Sequence, residues 1–283
     1  MKPLFATPPH IDIALDDIAN VSAQFIGKLS ISGVQKKLSL RFDPSTKKLV
    51  PAAIDGEYIL KPQLDQWPNV PENEHLSMNL AHLSGLSVAQ HGLISLADHS
   101  KAYIVKRFDR DKGTKIAFED FAQLLGLASE GKYSVSVERM ASAIDHFSAA
   151  PGLDKLALYK LILFNFVIGN TDAHTKNYGL LRYKHGYRLA PAYDLVNTRL
   201  IIPDDKDETA LTIHGKKNKI NKADFDYLAE HFKLSNKSKA VVSNAMNTLL
   251  VSATKEIQTS LLPEAQKIKY AEIMSANFAQ IRD

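Results

Sequence analysis

Leu161–Ile168 is the longest nearly apolar run in the chain, interrupted only by Asn165, and it ends directly in the polar stretch Gly169-Asn170-Thr171-Asp172-Ala173-His174-Thr175-Lys176-Asn177. The run is far short of the ~20 residues that a membrane span needs. It predicts a helix, Leu153 to Ile168, too apolar for a surface position and therefore buried in a globular core. A polar loop set on the end of a buried helix is costly unless its groups are hydrogen-bonded or bind something. That condition makes Gly169–Asn177 the first place to look for chemistry.

The rest of the 283 residues divides by pattern. Leu38, Leu40 and Phe42 alternate within a predicted strand from Lys37 to Phe42, and Glu57–Lys61 predicts a second that Pro62 stops. Pro71-Glu72-Asn73-Glu74 has the proline and acids of a helix start. Leu76, Leu80 and Leu83 follow as its buried stripe, and Gly85 ends it. Gly92–Leu96 and Ala102–Phe108 predict two further strands. After Asp109-Arg110-Asp111-Lys112-Gly113 helical patterns dominate, at Ala117–Leu127, Val135–Ala149 and Leu153–Ile168. A short β pair, Tyr178–Tyr183 with Tyr187–Leu189, comes next. Three helices close the chain near Lys222–Phe232, Lys237–Thr259 and Pro263–Ile281. The pattern predicts an α+β, two-lobed, protein-kinase-like fold. Residues 1–110 form a strand-rich N-terminal lobe, residues 111–283 a helical C-terminal lobe, and a cleft separates them.

Composition excludes some classes. There is no cysteine, hence no disulfide framework and no thiolate metal site. The N-terminus, Met1-Lys2-Pro3-Leu4-Phe5-Ala6-Thr7-Pro8-Pro9, has no apolar signal core. With the absence of disulfides this favours a cytoplasmic location and no membrane. The formal charge of +4 permits an acidic partner without demanding one.

Four features bear on chemistry. Asp172 and Asn177 are five residues apart, the spacing at which kinase catalytic loops carry a base for the substrate hydroxyl and a carbonyl ligand for magnesium. Magnesium prefers hard oxygen donors, and an Asn carbonyl supplies one without added negative charge. The spacing alone fits a polar turn equally well. Asp194, in Ala190-Pro191-Ala192-Tyr193-Asp194-Leu195, follows the β pair, where a kinase places a second acid on the metal. Lys61 ends an apolar strand, and Glu74, thirteen residues on in a helix, is its candidate partner, with Glu72 competing. Ser30-Ile31-Ser32-Gly33-Val34-Gln35-Lys36-Lys37 precedes the first strand, and its amides could cradle phosphate. His174 is expected to hold the loop in place and not to act in catalysis. The basic run His214-Gly215-Lys216-Lys217-Asn218-Lys219 reads first as a solvated loop and second as a contact for RNA or an acidic protein.

Taken in order, these segments resemble the HipA family of bacterial serine/threonine kinases, the toxins of toxin–antitoxin systems. Ser30–Lys37, Tyr58–Pro62, Glu72–Glu74, Val105–Arg110, Glu119–Phe121, Gly169–Asn177 and Ala190–Leu195 carry the resemblance. It implies ATP and Mg2+ as cofactors, with Asp172 as catalytic base and Asn177 and Asp194 holding the metal. It implies ATP contacts at Ser32, Gly33, Val34, Lys61, Asn177 and Asp194. Lys106 and Phe108 would belong to a hinge at adenine, and Asp109 would lie near the ribose. It also implies autophosphorylation on Ser30 or Ser32, where a phosphate adds ~1.5–2 negative charges beside those of ATP. The expected substrate is a protein hydroxyl, with an aminoacyl-tRNA synthetase as target. Because the chain begins shortly before the phosphate loop, it resembles the short form, HipT of HipBST systems. The expected antitoxin is then HipS-like, HipB-like or both, with DNA reached only through the antitoxin. A small-molecule or lipid-headgroup kinase, or a nucleotide-binding interaction module with little catalysis, are the alternatives.

Overall fold

Alternation along the early strands puts Leu38, Leu40, Tyr58 and Leu60 on one face, and in the computed structural model that face is covered. The structure describes residues 4–5, 9–18, 37–111 and 113–282. Strands β1 (Leu38–Asp43), β2 (Lys48–Pro51), β3 (Tyr58–Pro62), β4 (His91–Ser95) and β5 (Lys101–Lys106) form an antiparallel sheet in the order β2-β1-β3-β5-β4. Ile11, Ile13 and Ile18 belong to the same buried cluster as the sheet residues Leu49, Ile94 and Ile104. Because side chains alternate, Lys61 and its cross-strand neighbour Tyr103 belong to the opposite face from Leu60 and Ile104.

Helix α1 (Val70–Leu83) starts with Pro71 and Glu72 in its first turn and ends at Gly85, whose φ of 76° is left-handed. A short hairpin, β6 (Arg110–Asp111) with β7 (Thr114–Lys115), turns at Gly113. Two compact units result. One comprises residues 1–75 and 89–115, the other residues 76–88 and 116–283, so that helix α1 contributes to both.

The second unit holds a three-stranded antiparallel sheet, β10-β9-β8, built from β8 (Phe118–Asp120), β9 (Gly179–Tyr183) and β10 (Gly186–Leu189). Its helices are α2 (Phe121–Leu124), α3 (Val137–Phe147), α4 (Pro151–Ile168), α5 (Lys222–His231), α6 (Asn236–Thr259) and α7 (Glu264–Ile281). No helix among the described residues is long and apolar enough to cross a membrane. One expected helix, Ala117–Leu127, is instead a strand followed by one helical turn. Asp120 is the reason: its carboxylate accepts the Gln123 amide at 2.8 Å, and Gln123 Oε1 accepts the Asp120 amide at 2.9 Å. This capping box starts the helix at Phe121 and leaves Phe118–Asp120 to pair with β9. The partner position is tight, since a Cβ on Gly179 would come within 2.5 Å of the Phe118 ring.

Candidate active site

Helix α4 is buried almost throughout from Leu158 to Ile168 and stops at Gly169, whose φ of 75° suits glycine. A Cβ there would lie 2.8 Å from Ile273 Cγ2 and 3.2 Å from Asn197 Oδ1. The polar loop that follows is held by a network of hydrogen bonds. Asn170 donates to Asn165 Oδ1 at 2.9 Å, and Asn165 donates to the buried Tyr178 hydroxyl at 3.0 Å. Thr198 Oγ1 accepts the Thr171 amide at 2.7 Å and donates to the Gly169 carbonyl at 3.1 Å. Thr171 Oγ1 donates to Asp205 at 2.6 Å. Asn277, on α7, donates to the Phe166 carbonyl at 2.8 Å. The one polar residue inside the apolar run, Asn165, is thus the loop's anchor.

On that base Asp172 is exposed while its neighbours Thr171 and Ala173 are buried. Its amide donates to Asn170 Oδ1 at 3.2 Å. Asn177 is 8% exposed; its Oδ1 accepts the His174 amide at 3.0 Å and its Nδ2 donates to Asp194 Oδ2 at 2.8 Å. Asp194 has φ 59°, a left-handed conformation uncommon outside glycine, and local strain of this kind concentrates at functional sites. Tyr193 donates to the Lys176 carbonyl at 2.6 Å, tying the Asp194 segment to the loop a second time. Asp172, Asn177 and Asp194 therefore belong to one hydrogen-bonded assembly. Asn177 turns its Nδ2 toward Asp194 and its Oδ1 toward the His174 amide, so a hard carbonyl oxygen and a hard carboxylate sit on two side chains that are hydrogen-bonded to each other. That set fits magnesium, which takes one or two carboxylates and completes its octahedron with water and phosphate.

His174 is half-buried in the loop, and its ring meets Tyr133 edge-on at 5.2 Å. Burial holds its imidazole below its ordinary pKa, against the pull of Asp172. Tyr133 lies in a 3-10 turn, Ser129–Tyr133, and donates its hydroxyl to Asp172 Oδ1. No periodicity marked Tyr133 beforehand, because it meets Asp172 across 39 positions of chain. In the basic run, His214 and Lys216 both reach the buried Asp224 carboxylate, at 3.0 and 2.8 Å, and His214 stacks on Tyr227. Lys217 instead faces the Tyr133 ring at 5.9 Å.

In the other unit, Lys61 Nζ lies 2.5 Å from Glu74 Oε1, with the two residues 4% and 1% exposed. Glu74, not Glu72, is the partner. Burial raises the Glu72 carboxyl above the usual range. A buried ion pair is weak evidence for stability, because desolvating two charges offsets most of their attraction. Its retention on a strand end is easier to explain by a ligand. Lys106 closes β5, and Phe108 lies in the turn after it. The Asp109 carboxylate is gripped by Arg107 through two bonds of 2.9 and 2.7 Å. Burial alone would raise its pKa, yet Arg107 and Arg110 together hold it below the usual carboxylate range. Ser30, Ser32, Gly33 and Val34 lie outside the described residues.

Comparison with known proteins adds to this geometry. The HipA-like C-terminal domain family matches residues 29–257. A Sinorhizobium fredii protein named "Putative kinase Y4mE" is 34% identical over 208 residues, 70% of this chain and 49% of its own length. The "Serine/threonine-protein kinase toxin HipA" of Shewanella oneidensis is 28% identical over 206 residues, 66% of this chain and 47% of its own length. This chain spans about half the length of these two relatives. The solved structure of Shewanella oneidensis HipA, in a complex with HipB and operator DNA, superposes with a TM-score of 0.76 at 22% identity. That match covers 99% of this chain and 73% of the other. With seven ordered motifs in the sequence and a mixed α/β fold of the same kind, the chain belongs to the HipA-like C-terminal domain family.

Proposed function

We propose that this chain is an ATP- and magnesium-dependent serine/threonine-protein kinase acting as the toxin of a toxin–antitoxin system. The observation that carries this reading is an exposed Asp172 on a rigid loop whose Asn177 is hydrogen-bonded to Asp194. Asp172 takes the proton of the attacking serine or threonine hydroxyl. As that proton leaves, the oxygen forms its bond to the γ-phosphorus, the bond to the bridging β–γ oxygen breaks, and ADP departs. Asn177 and Asp194 would hold magnesium, whose charge would offset that of the phosphates. Lys61, oriented by Glu74, contacts the ATP phosphates; Lys106 and Phe108 serve the adenine and Asp109 the ribose. For the last role Asp109 must share its carboxylate with Arg107.

The finer parts of the reading rest on family resemblance. The substrate is a protein hydroxyl, with an aminoacyl-tRNA synthetase as target, and the chain phosphorylates itself on Ser30 or Ser32. Its setting is the cytoplasm, with a HipS-like or HipB-like antitoxin as partner and DNA met only through it. The Shewanella relative's complex with HipB and operator DNA supports an antitoxin of that kind.

The test is phosphate transfer from labelled magnesium-ATP to the purified chain, followed by phosphopeptide mapping. Wild type should incorporate label, and Asp172→Asn should lose about 10²- to 10⁴-fold in rate while keeping its fold. A wild-type chain that neither binds nucleotide nor takes up phosphate would sink the reading. Phosphorylated metabolites in a treated lysate, with no phosphorylated protein, would move the assignment to a small-molecule kinase.

A further inference from the structure

Asp172 is exposed, and an exposed carboxylate on a loop samples several rotamers unless something holds it. Among the described residues, one side chain does: the Tyr133 hydroxyl donates to Oδ1, and Oδ2 receives no hydrogen bond. The tyrosine is built into place. Its turn is fastened to the loop by Thr175, fully buried, whose hydroxyl donates to the Lys132 carbonyl at 3.0 Å. Its ring meets His174 edge-on at 5.2 Å, while the Lys132 and Lys217 ammonium groups lie 4.8 and 5.9 Å from its centroid. Two cations on one ring, neither ion-paired to an acid among the described residues, hold that ring electrostatically. The basic run, which reads as a solvated loop in sequence, thus supplies one side of this clamp through Lys217.

We propose that Tyr133 is the positioning residue of the phosphotransfer reaction, fixing Asp172 by its Oδ1 so that Oδ2 faces the incoming hydroxyl. This rests on the reading of Asp172 as the base. A base contributes only while within hydrogen-bond reach of the proton it abstracts, so loss of a rotamer restraint lowers the rate of the chemical step. Nucleotide binding involves other residues and is unaffected. The phenol also stays a donor: burial first, and the Asp172 carboxylate second, push its pKa above the ordinary range.

The test is Tyr133→Phe, which keeps the ring and removes only the donor. Initial rates of autophosphorylation are measured across magnesium-ATP concentrations, with the unfolding temperature recorded for both proteins. The expected result is a fall in kcat of roughly tenfold, a part of the ~10²- to 10⁴-fold that a well-placed general base supplies, with KM for magnesium-ATP and the unfolding temperature unchanged. An unchanged or raised kcat overturns the proposal, the raised value identifying Tyr133 as a plug of the acceptor position. A fall in kcat together with a lower unfolding temperature assigns the hydroxyl to structure and overturns it too. If wild type itself transfers no phosphate, the kinase reading fails and this proposal falls with it, an outcome distinct from the others.

Discussion

Around Lys61 and Glu74 the polar groups of the first unit are crowded into little space. The His75 ring meets His91 at 5.3 Å, His91 stacks on Tyr103 at 5.7 Å, and Lys61 Nζ is 5.5 Å from the Tyr103 centroid. Burial, with a smaller contribution from His91, pulls the His75 pKa from 6.5 down to about 4. The sign of the consequence follows. Folded His75 stays neutral until the pH nears 4, whereas unfolded His75 takes up a proton below about 6.5. Protons therefore favour the unfolded chain, and the stability held above pH 6.5 is lost as pH falls toward 4. The loss from this one group is at most about 3 kcal/mol. Urea unfolding of wild type and His75→Gln at pH 7 and pH 5 measures it: the substitution should flatten the pH slope. Equal slopes would show that His75 titrates normally.

Among the elements, the junction between helix α4 and the loop tolerates little change. Gly169 combines a left-handed φ with side-chain atoms closer than a Cβ allows. Gly169→Ala should cost about 1–3 kcal/mol in urea unfolding. It should also lower phosphotransfer, because the loop is hung from that turn. Full activity at wild-type stability would mean that Ile273 yields easily. The apolar run made this junction legible in sequence, as alternation did for β1 and β3 and apolar periodicity for α1. The Lys61–Glu74 pairing and, separately, the closeness of Asn177 to Asp194 were legible too, because each joins elements near each other in the chain. Strand β8 was not, since the apolar residues of Ala117–Leu127 fit a helix. The Asp120–Gln123 capping box decides where that helix begins, and pairing with the distant strand β9, with Gly179 opposite Asp120, makes the strand. Tyr133 and Lys217 were illegible for a similar reason. Their meeting joins segments far apart in the chain, and although the basic run that holds Lys217 stands out in sequence, nothing in it points to Tyr133.

At the scale of the whole molecule, the proposed assignment gives binding and chemistry to different residues, so that the two can be separated by linkage. A ligand that binds only the folded chain stabilises it by an amount set by concentration over Kd, about 2.7 kcal/mol at a hundredfold excess. Magnesium-ATP at that excess should therefore raise the unfolding temperature of the wild-type chain. Asp172→Asn should keep the rise, because the proposed base is assigned neither phosphate nor metal, and should fail only in transfer. Asp194→Asn should lose most of it, since the substitution removes the one carboxylate assigned to the metal. It keeps a polar group beside Asn177, so the fold without ligand should change little. EDTA should bring wild type down to the Asp194→Asn value, while ATP alone should stabilise both equally weakly. If Asp194→Asn instead responds like wild type to magnesium-ATP, the metal is held elsewhere. The Asn177–Asp194 hydrogen bond would then be a brace for the catalytic loop and not part of a metal site.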